Sequence, residues 1–404
     1  MFTFNQPLRS EEGPTSNNRP VANEDARGAV LRLSRDQVNS WRLNRQHLTA
    51  RKSRRAIAEV VSDVCGVQAQ VPNAAELAIR ARVEGATQIG IREALWKEHS
   101  IVRTWCMRGT LHLLASSDLP VYVAAMKTEL SASQEWLQKT QGLPLSEVAA
   151  ITAEIKSVLG DRVVARDDLV RQVESRLKLS RASREALKSP WGILLRPAAY
   201  QGALAFGPPA GSKSTLFRPD RWILDWKEPT TRKALSELFL RFVRCYGPAR
   251  AGEFARWWGS RRGEEKSVPG TIGDELEEVR FGEGRGWMLR ADAEEASGLG
   301  PARVVRLLPS FDCYAMFYSP REAFVPQAQR SRIFRQTAGW NYPAIVVDGV
   351  AAGTWGLRRR SRRVDVILEP FRGFTPTEKT LLQEEAADIG SFYGLPAELM
   401  YAQA

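Results

Sequence analysis

Two glutamines two positions apart, Gln68 and Gln70, lie in the segment GVQAQVPNAAELAIRAR over 66–82. A carboxamide is uncharged, yet its carbonyl oxygen accepts a hydrogen bond from water while its NH₂ fixes its own orientation. A convergent pair can hold one water against an electrophilic carbon without supplying an acid or a strong base. Buried structural glutamines are the other reading of the same two residues. On a helix, positions i and i+2 point apart, so convergence requires the helix to end at the motif. Val71 and Pro72 favour such an end, because a residue before proline avoids the helical region. A helix over 54–70, stopped near Pro72, is therefore expected.

Other side chains are candidates for support. Arg103, Arg108 and His112 fall in IVRTWCMRGTLHLL, a hairpin-like run close to the glutamines in sequence, and are read as DNA or pocket contacts. His112 has a second reading, as a strand residue satisfied by a neighbour. Asp312, in the SFD stretch, can orient a side chain or water, or cap a helix. Between positions 42 and 58 there are six basic residues (Arg42, Arg45, Arg51, Lys52, Arg54 and Arg55) and no acid, which reads as a phosphate-tracking stripe. Arg358, Arg359, Arg360, Arg362 and Arg363 crowd a turn between two strand-like runs, where mutual repulsion favours a solvated loop that meets phosphate. Trp257 and Trp258 are expected to pack rather than to stack on a base.

Several chemistries are excluded. The four cysteines and three histidines are scattered, with no C-x-x-C pair, so neither a metal site nor a disulfide framework is expected. GPPAGSKST at 207–215 lacks the second glycine of a phosphate loop, and Pro208 and Pro209 remove backbone donors. GEGRG at 282–286 precedes a strand-like run rather than a helix, so it is a hairpin turn. No nucleophile elbow and no H-E-x-x-H helix occur. No cofactor is expected.

The chain has 404 residues and carries 58 Lys plus Arg against 46 Asp plus Glu, a formal charge of +12. That excess suits a polyanionic partner through counterion release. No apolar run is long enough to span a bilayer, and the first residues lack the apolar core of a signal peptide, so a cytoplasmic, nucleoid-associated protein is expected. Residues 1–29 read as a disordered tail.

The order of elements repeats. Helical patterns at 30–47, 54–70, 76–84 and 91–97 precede a hairpin at 101–114. Patterns at 145–159, 165–175 and 181–187 precede a hairpin around the Pro/Gly-rich 207–213. A third round runs through 232–246, 251–259 and a helix near 271–279 to the hairpin VRFGEGRGWMLR. Helices followed by a hairpin wing describe a winged-helix unit. The expected fold is α+β: three such units at 30–125, 126–228 and 229–298, then a β-rich part at 299–404 closed by a helix over 375–393.

GVQAQVPNAAELAIRAR, followed some twenty residues later by VRTWCMRGTLHLLASSDLP, resembles the AlkZ/YcaQ family of winged-helix DNA glycosylases. YGPARAGEFARWWG, LLPSFDCYAMFYSPRE and YPAIVVDGVAAGTWG are similar as well, so the likeness runs from about Val30 to near the C-terminus. The resemblance implies three tandem units forming a C-shaped basic channel. It places the family's Q-x-Q signature on Gln68 and Gln70, in the two-glutamine form of the AlkZ branch. It implies removal of N7-alkylated purines, including bulky adducts and interstrand crosslinks left by DNA-damaging natural products, from double-stranded DNA.

The implied substrate explains why glutamines suffice. Alkylation at N7 makes the purine cationic, so it departs neutral and needs no general acid. What remains is to place a water against C1′ and to tolerate an oxocarbenium-like sugar. With no lysine in the motif, hydrolysis to an abasic site without a lyase step is expected. A monomer with no obligate protein partner is expected. The rival readings are a non-catalytic winged-helix DNA-binding regulator and a catalytically retired relative that only binds adducts.

Overall fold

A computed structural model describes residues 30–260, 272–335 and 341–402, so the expected tail at 1–29 lies outside the described residues. All three expected hairpins form. They are β3 (Ile101–Trp105) with β4 (Leu111–Ala115), β6 (Ala205–Ala210) with β7 (Lys213–Phe217), and β8 (Leu276–Phe281) with β9 (Gly284–Leu289). Two short strands, β2 (Val67–Gln68) and β5 (Val164–Ala165), extend the first two hairpins into one sheet of order β2-β4-β3-β6-β7-β5. The hairpins meet where Arg103 pairs with Phe206. β1 (Arg32–Leu33) runs parallel to β8, so the start of the described chain joins the third hairpin. A five-stranded sheet follows from β10 (Val305–Leu308), β11 (Ala344–Val347), β12 (Val350–Arg359), β13 (Val364–Pro370) and β14 (Ala397–Tyr401), with the helix Pro376–Tyr393 packed on it.

The helix expected over 54–70 is corrected. A 3₁₀ turn Arg54–Ala56 leads into a short helix Ile57–Asp63, and the chain then reverses through Cys65 (φ 59°) and Gly66 (φ 89°) into β2. A Cβ on Gly66 would lie 2.6 Å from Leu114 Cδ2, so this approach to β4 requires glycine. Pro72 starts the next helix, Pro72–Arg80, instead of ending the previous one. At the first helical position its missing N–H costs nothing, and its fixed φ is already helical. The helix expected near 271–279 is also corrected, Thr271 itself lying outside the described residues. Gly273–Glu275 is a 3₁₀ turn and Leu276–Phe281 a strand, because pairing with β9 outweighs the helical preference of its glutamates. Helices Leu119–Gln141 and Arg290–Ser297 have no counterpart among the expected elements.

Trp257 and Trp258 pack as expected. Both are 1 % exposed, their rings 6.0 Å apart, beside Phe242 and Phe254. Buried arginines then tie the N-terminal helices to later parts of the chain. Arg82, fully buried, donates to both carboxylate oxygens of Asp312 at 2.7 and 2.8 Å. Arg80 reaches Glu385 and Asp388 on the closing helix. Arg42 donates to the carbonyls of Tyr246, Gly247 and Pro248.

Candidate active site

β2 carries Gln68 into the sheet opposite His112 of β4, and the ladder continues through Ala69 N–H to Leu111 C=O at 2.7 Å. The motif is therefore extended, not a helix end. In extended chain, alternate residues leave opposite faces, so Ala69 takes the face opposite to that of Gln68 and Gln70. Ala69 between them is 1 % exposed and faces the core, Gln68 is half-buried, and Gln70 is exposed. Both amides are pinned. Arg108 Nη2 donates to Gln68 Oε1 at 3.2 Å, and the Leu111 N–H donates to Gln70 Oε1 at 3.3 Å. Arg103 Nη2 holds the carbonyl of Ala69 at 3.2 Å, and its guanidinium lies over the Phe206 ring. Arg103, Arg108 and His112 thus all lie beside the 68–70 segment.

Arg108 sits at the hairpin turn in left-handed backbone (φ 57°). Its Nη2 also bonds His112 Nε2 at 2.9 Å, while its Nη1 donates to the carbonyl of Trp257. These contacts commit both Nη atoms of the guanidinium to acceptors of the protein itself. Burial draws its pKa down to about 10, still above neutrality. His112 is 1 % exposed, with Nδ1 3.1 Å from the Thr110 carbonyl and Nε2 facing Arg108. A carbonyl can only accept and an arginine can only donate, so the ring carries its proton on Nδ1 and accepts at Nε2. The ring is thus satisfied by its neighbours, and it touches the same Arg108 that holds Gln68.

Burial, and then the Arg108 charge, hold the His112 pKa well below 6.5. Unfolding exposes the ring and restores its ordinary value, so below about pH 6.5 the unfolded chain binds a proton that the folded chain does not. This contribution to stability is full above that pH and is lost as pH falls toward the folded-state pKa. His112→Gln should therefore lose less melting temperature than the wild type between about pH 7 and about pH 5. Parallel curves for the two proteins would contradict the assignment of a neutral imidazole.

The other candidates are not part of this cluster. Asp312 is fully buried, holding Arg82 and capping the helix Cys313–Phe317 through the Tyr314 N–H, so it contacts neither DNA nor the glutamines. The basic stripe is dispersed. Arg45 lies over the Trp41 ring, and Arg51 is bound to Glu385 and Asp388, while Arg54 and Arg55 are exposed. At the turn between β12 and β13, Arg360 and Arg363 bind Asp365 and Arg359 lies over Tyr393; Arg358, Arg359, Arg360 and Arg362 are all exposed. Pairing with Asp365 anchors Arg360 and Arg363 while their side chains stay 46 % and 43 % exposed. Sequence reasoning missed Trp257 C=O and Phe317, which hold Arg108 from remote elements.

Among the described residues, none of the groups bonded to the two glutamines is a carboxylate or a lysine. Each pinned carbonyl oxygen uses one lone pair on its donor and keeps a second for water. No cluster of His, Cys, Asp or Glu among the described residues is placed to hold a metal, and no described helix is long and apolar enough to cross a membrane.

A family model described as "DNA glycosylase AlkZ-like" matches residues 61–392, spanning the glutamines, Arg108 and the Arg82–Asp312 pair. The chain belongs to the AlkZ-like DNA glycosylase family. It is 30% identical over 370 residues to the interstrand DNA cross-link repair glycosylase of Streptomyces sahachiroi, covering 90% of this chain and 98% of that one. The solved structure of Streptomyces sahachiroi DNA glycosylase AlkZ superposes with a TM-score of 0.80 at 30% identity, covering 91% of this chain and all of that one. Membership decides between the enzymatic and the purely regulatory readings. This glycosylase acts on DNA, consistent with its positive charge, and its mixed α and β fold is that of AlkZ.

Proposed function

We propose that this glycosylase hydrolyses the N-glycosidic bond of N7-alkylated, cationic purines in duplex DNA, with Gln68 and Gln70 holding the water that attacks C1′. The observation that carries the reading is the pair of carboxamides whose oxygens are fixed by obligate donors, with no acid bonded to either. Such a site suits a leaving group that is already positively charged and departs neutral. The half-buried Gln68 and exposed Gln70 leave room for a bulky adduct. The name of the Streptomyces relative supports extending this to interstrand crosslinks, where cutting one glycosidic bond frees one strand. In this reading a monomer suffices, its three helix-and-hairpin units over 30–125, 126–228 and 229–298 acting as tandem winged helices ahead of the β-rich 299–404.

The test is base preference on matched duplexes. 7-Methylguanine should be released and an abasic site left, with no covalent protein–DNA adduct on borohydride treatment. Equal excision of uracil or of undamaged purine, or a trapped adduct, would overturn the proposal. Phosphate contact is assigned to the exposed guanidiniums. Glutamate at Arg358 or Arg362 should weaken binding uniformly across sequences and lower the salt slope by about one for each phosphate no longer neutralised. An unchanged slope would remove that turn from the DNA interface.

A further inference from the structure

We infer that Arg108 is a positioning residue for Gln68: it selects which end of the carboxamide faces the nucleophilic water. This rests on the proposed role of the glutamine pair and goes beyond it, because a basic residue at a hairpin tip in a DNA enzyme would ordinarily be assigned to phosphate.

The guanidinium is clamped before it reaches the glutamine. The helix Ala251–Trp258 ends against the hairpin turn, where its Trp257 carbonyl accepts from Arg108 Nη1. Unpaired carbonyls at a helix C-terminus favour a cation. That approach depends on Gly259, since a Cβ there would lie 2.8 Å from the Arg108 Cα. The Phe317 ring covers the guanidinium at 4.7 Å from the other part of the chain. Nη2 is left with two hydrogens and meets two acceptors, Gln68 Oε1 and the unprotonated Nε2 of His112.

A guanidinium has only donors, so it accepts the oxygen of a carboxamide and rejects its NH₂. Without it, the half-buried amide of Gln68 can turn over and offer donors where the attacking water must give up a proton. Gln70 needs no such side chain, because the backbone N–H of Leu111 performs the same selection. The two amides are thus set by different means, and only one of them can be disturbed by a side-chain change. His112 completes the device: as a neutral acceptor it fixes the second hydrogen of Nη2 and so the plane of the guanidinium.

The test is a double-mutant cycle between Arg108→Lys and Gln68→Ala, read by single-turnover excision of 7-methylguanine and by equilibrium binding to the damaged duplex. Lysine keeps the charge but not the planar fork. It should slow excision on the order of ten- to a hundredfold, as loss of an orienting partner does elsewhere. Affinity and its salt dependence should not change. In the Gln68→Ala background the lysine should cost nothing further. Phe317→Leu, which loosens Arg108 without touching the glutamines, should slow excision more modestly and also lose its effect once Arg108 is lysine. Thermal melting of each variant separates these losses from unfolding. Weakened, less salt-sensitive binding at an unchanged rate would make Arg108 a phosphate contact and overturn the inference. So would an equal loss from lysine with or without Gln68. A Gln68→Ala protein that excises at the wild-type rate would instead sink the glutamine mechanism, and this inference with it.

Discussion

Replacing either Gln68 or Gln70 by alanine should lower the single-turnover rate of excision on the order of a hundredfold, as removal of other positioned polar groups does. Affinity for damaged duplex should stay close to that of the wild type. The size follows from what each residue contributes. Neither is an acid or a strong base, so in the proposed reaction each acts by placing the water and by offering an oxygen to its proton. If one water is shared, the two losses are not independent, and the double variant should be little slower than the worse single one. Folding should be spared in both cases. Gln70 is exposed, and solvent can replace its bond to the Leu111 N–H, whereas Arg108 retains Trp257 and His112 when Gln68 is shortened. Rates in the singles that multiply in the double would mean that the glutamines act separately.

The largest effect on stability should come from Asp312→Ala. Burial alone would lower the pKa of the fully buried Arg82, yet the adjoining carboxylate of Asp312 raises it, so this guanidinium stays charged. Removing the carboxylate leaves that charge without its counter-ion and strips the cap from the helix Cys313–Phe317. Loss of one partner of a buried ion pair costs about 3–5 kcal/mol, and loss of a cap adds about 1 kcal/mol. Against a typical stability of about 5–15 kcal/mol, the variant should be barely folded at physiological temperature. Urea denaturation measures this directly. Replacing both partners by apolar residues of similar volume should restore much of the loss, since the attraction of such a pair only offsets its desolvation. A midpoint unchanged by Asp312→Ala would show that solvent reaches Arg82.

The hairpins are legible in the sequence because local patterning determines them. Strand-forming residues flank Arg108-Gly109, the Pro/Gly-rich 207–213 and Gly282, and each pair of runs closes over a short connection. Expectation and structure part where one residue type serves two purposes. Pro72 reads as a helix stop and instead begins a helix, while Gly66, not proline, turns the chain. Helical propensity favours a helix over Leu276–Phe281, although pairing with β9 decides its fate. Asp312, Arg80 and Arg82 share one reason for being hidden: a charged residue is expected outside unless its partner is known, and these partners lie far away in sequence.

The candidate site is legible in its chemistry but not in its geometry. Gln68, Gln70, Arg103, Arg108 and His112 all fall within one stretch of sequence, and the structure brings them together. The placement of Gln68 opposite His112 depends on β2 pairing with β4, a strand of two residues too short to announce itself. The inward commitment of Arg108 depends on Trp257 and Phe317, which belong to other parts of the chain. No local pattern carries that information.

In the proposed reaction, a pinned pair of glutamines performs hydrolysis of a cationic purine. This role is tested most directly by incubating wild-type and Gln68→Ala/Gln70→Ala proteins with a duplex containing one 7-methylguanine, following free base and abasic sites in single-turnover conditions. The wild type should release 7-methylguanine and leave an abasic site, and the double variant should bind the same duplex while releasing base on the order of a hundredfold more slowly or worse. Release by the double variant at the wild-type rate would show that the glutamines do not hold the attacking water.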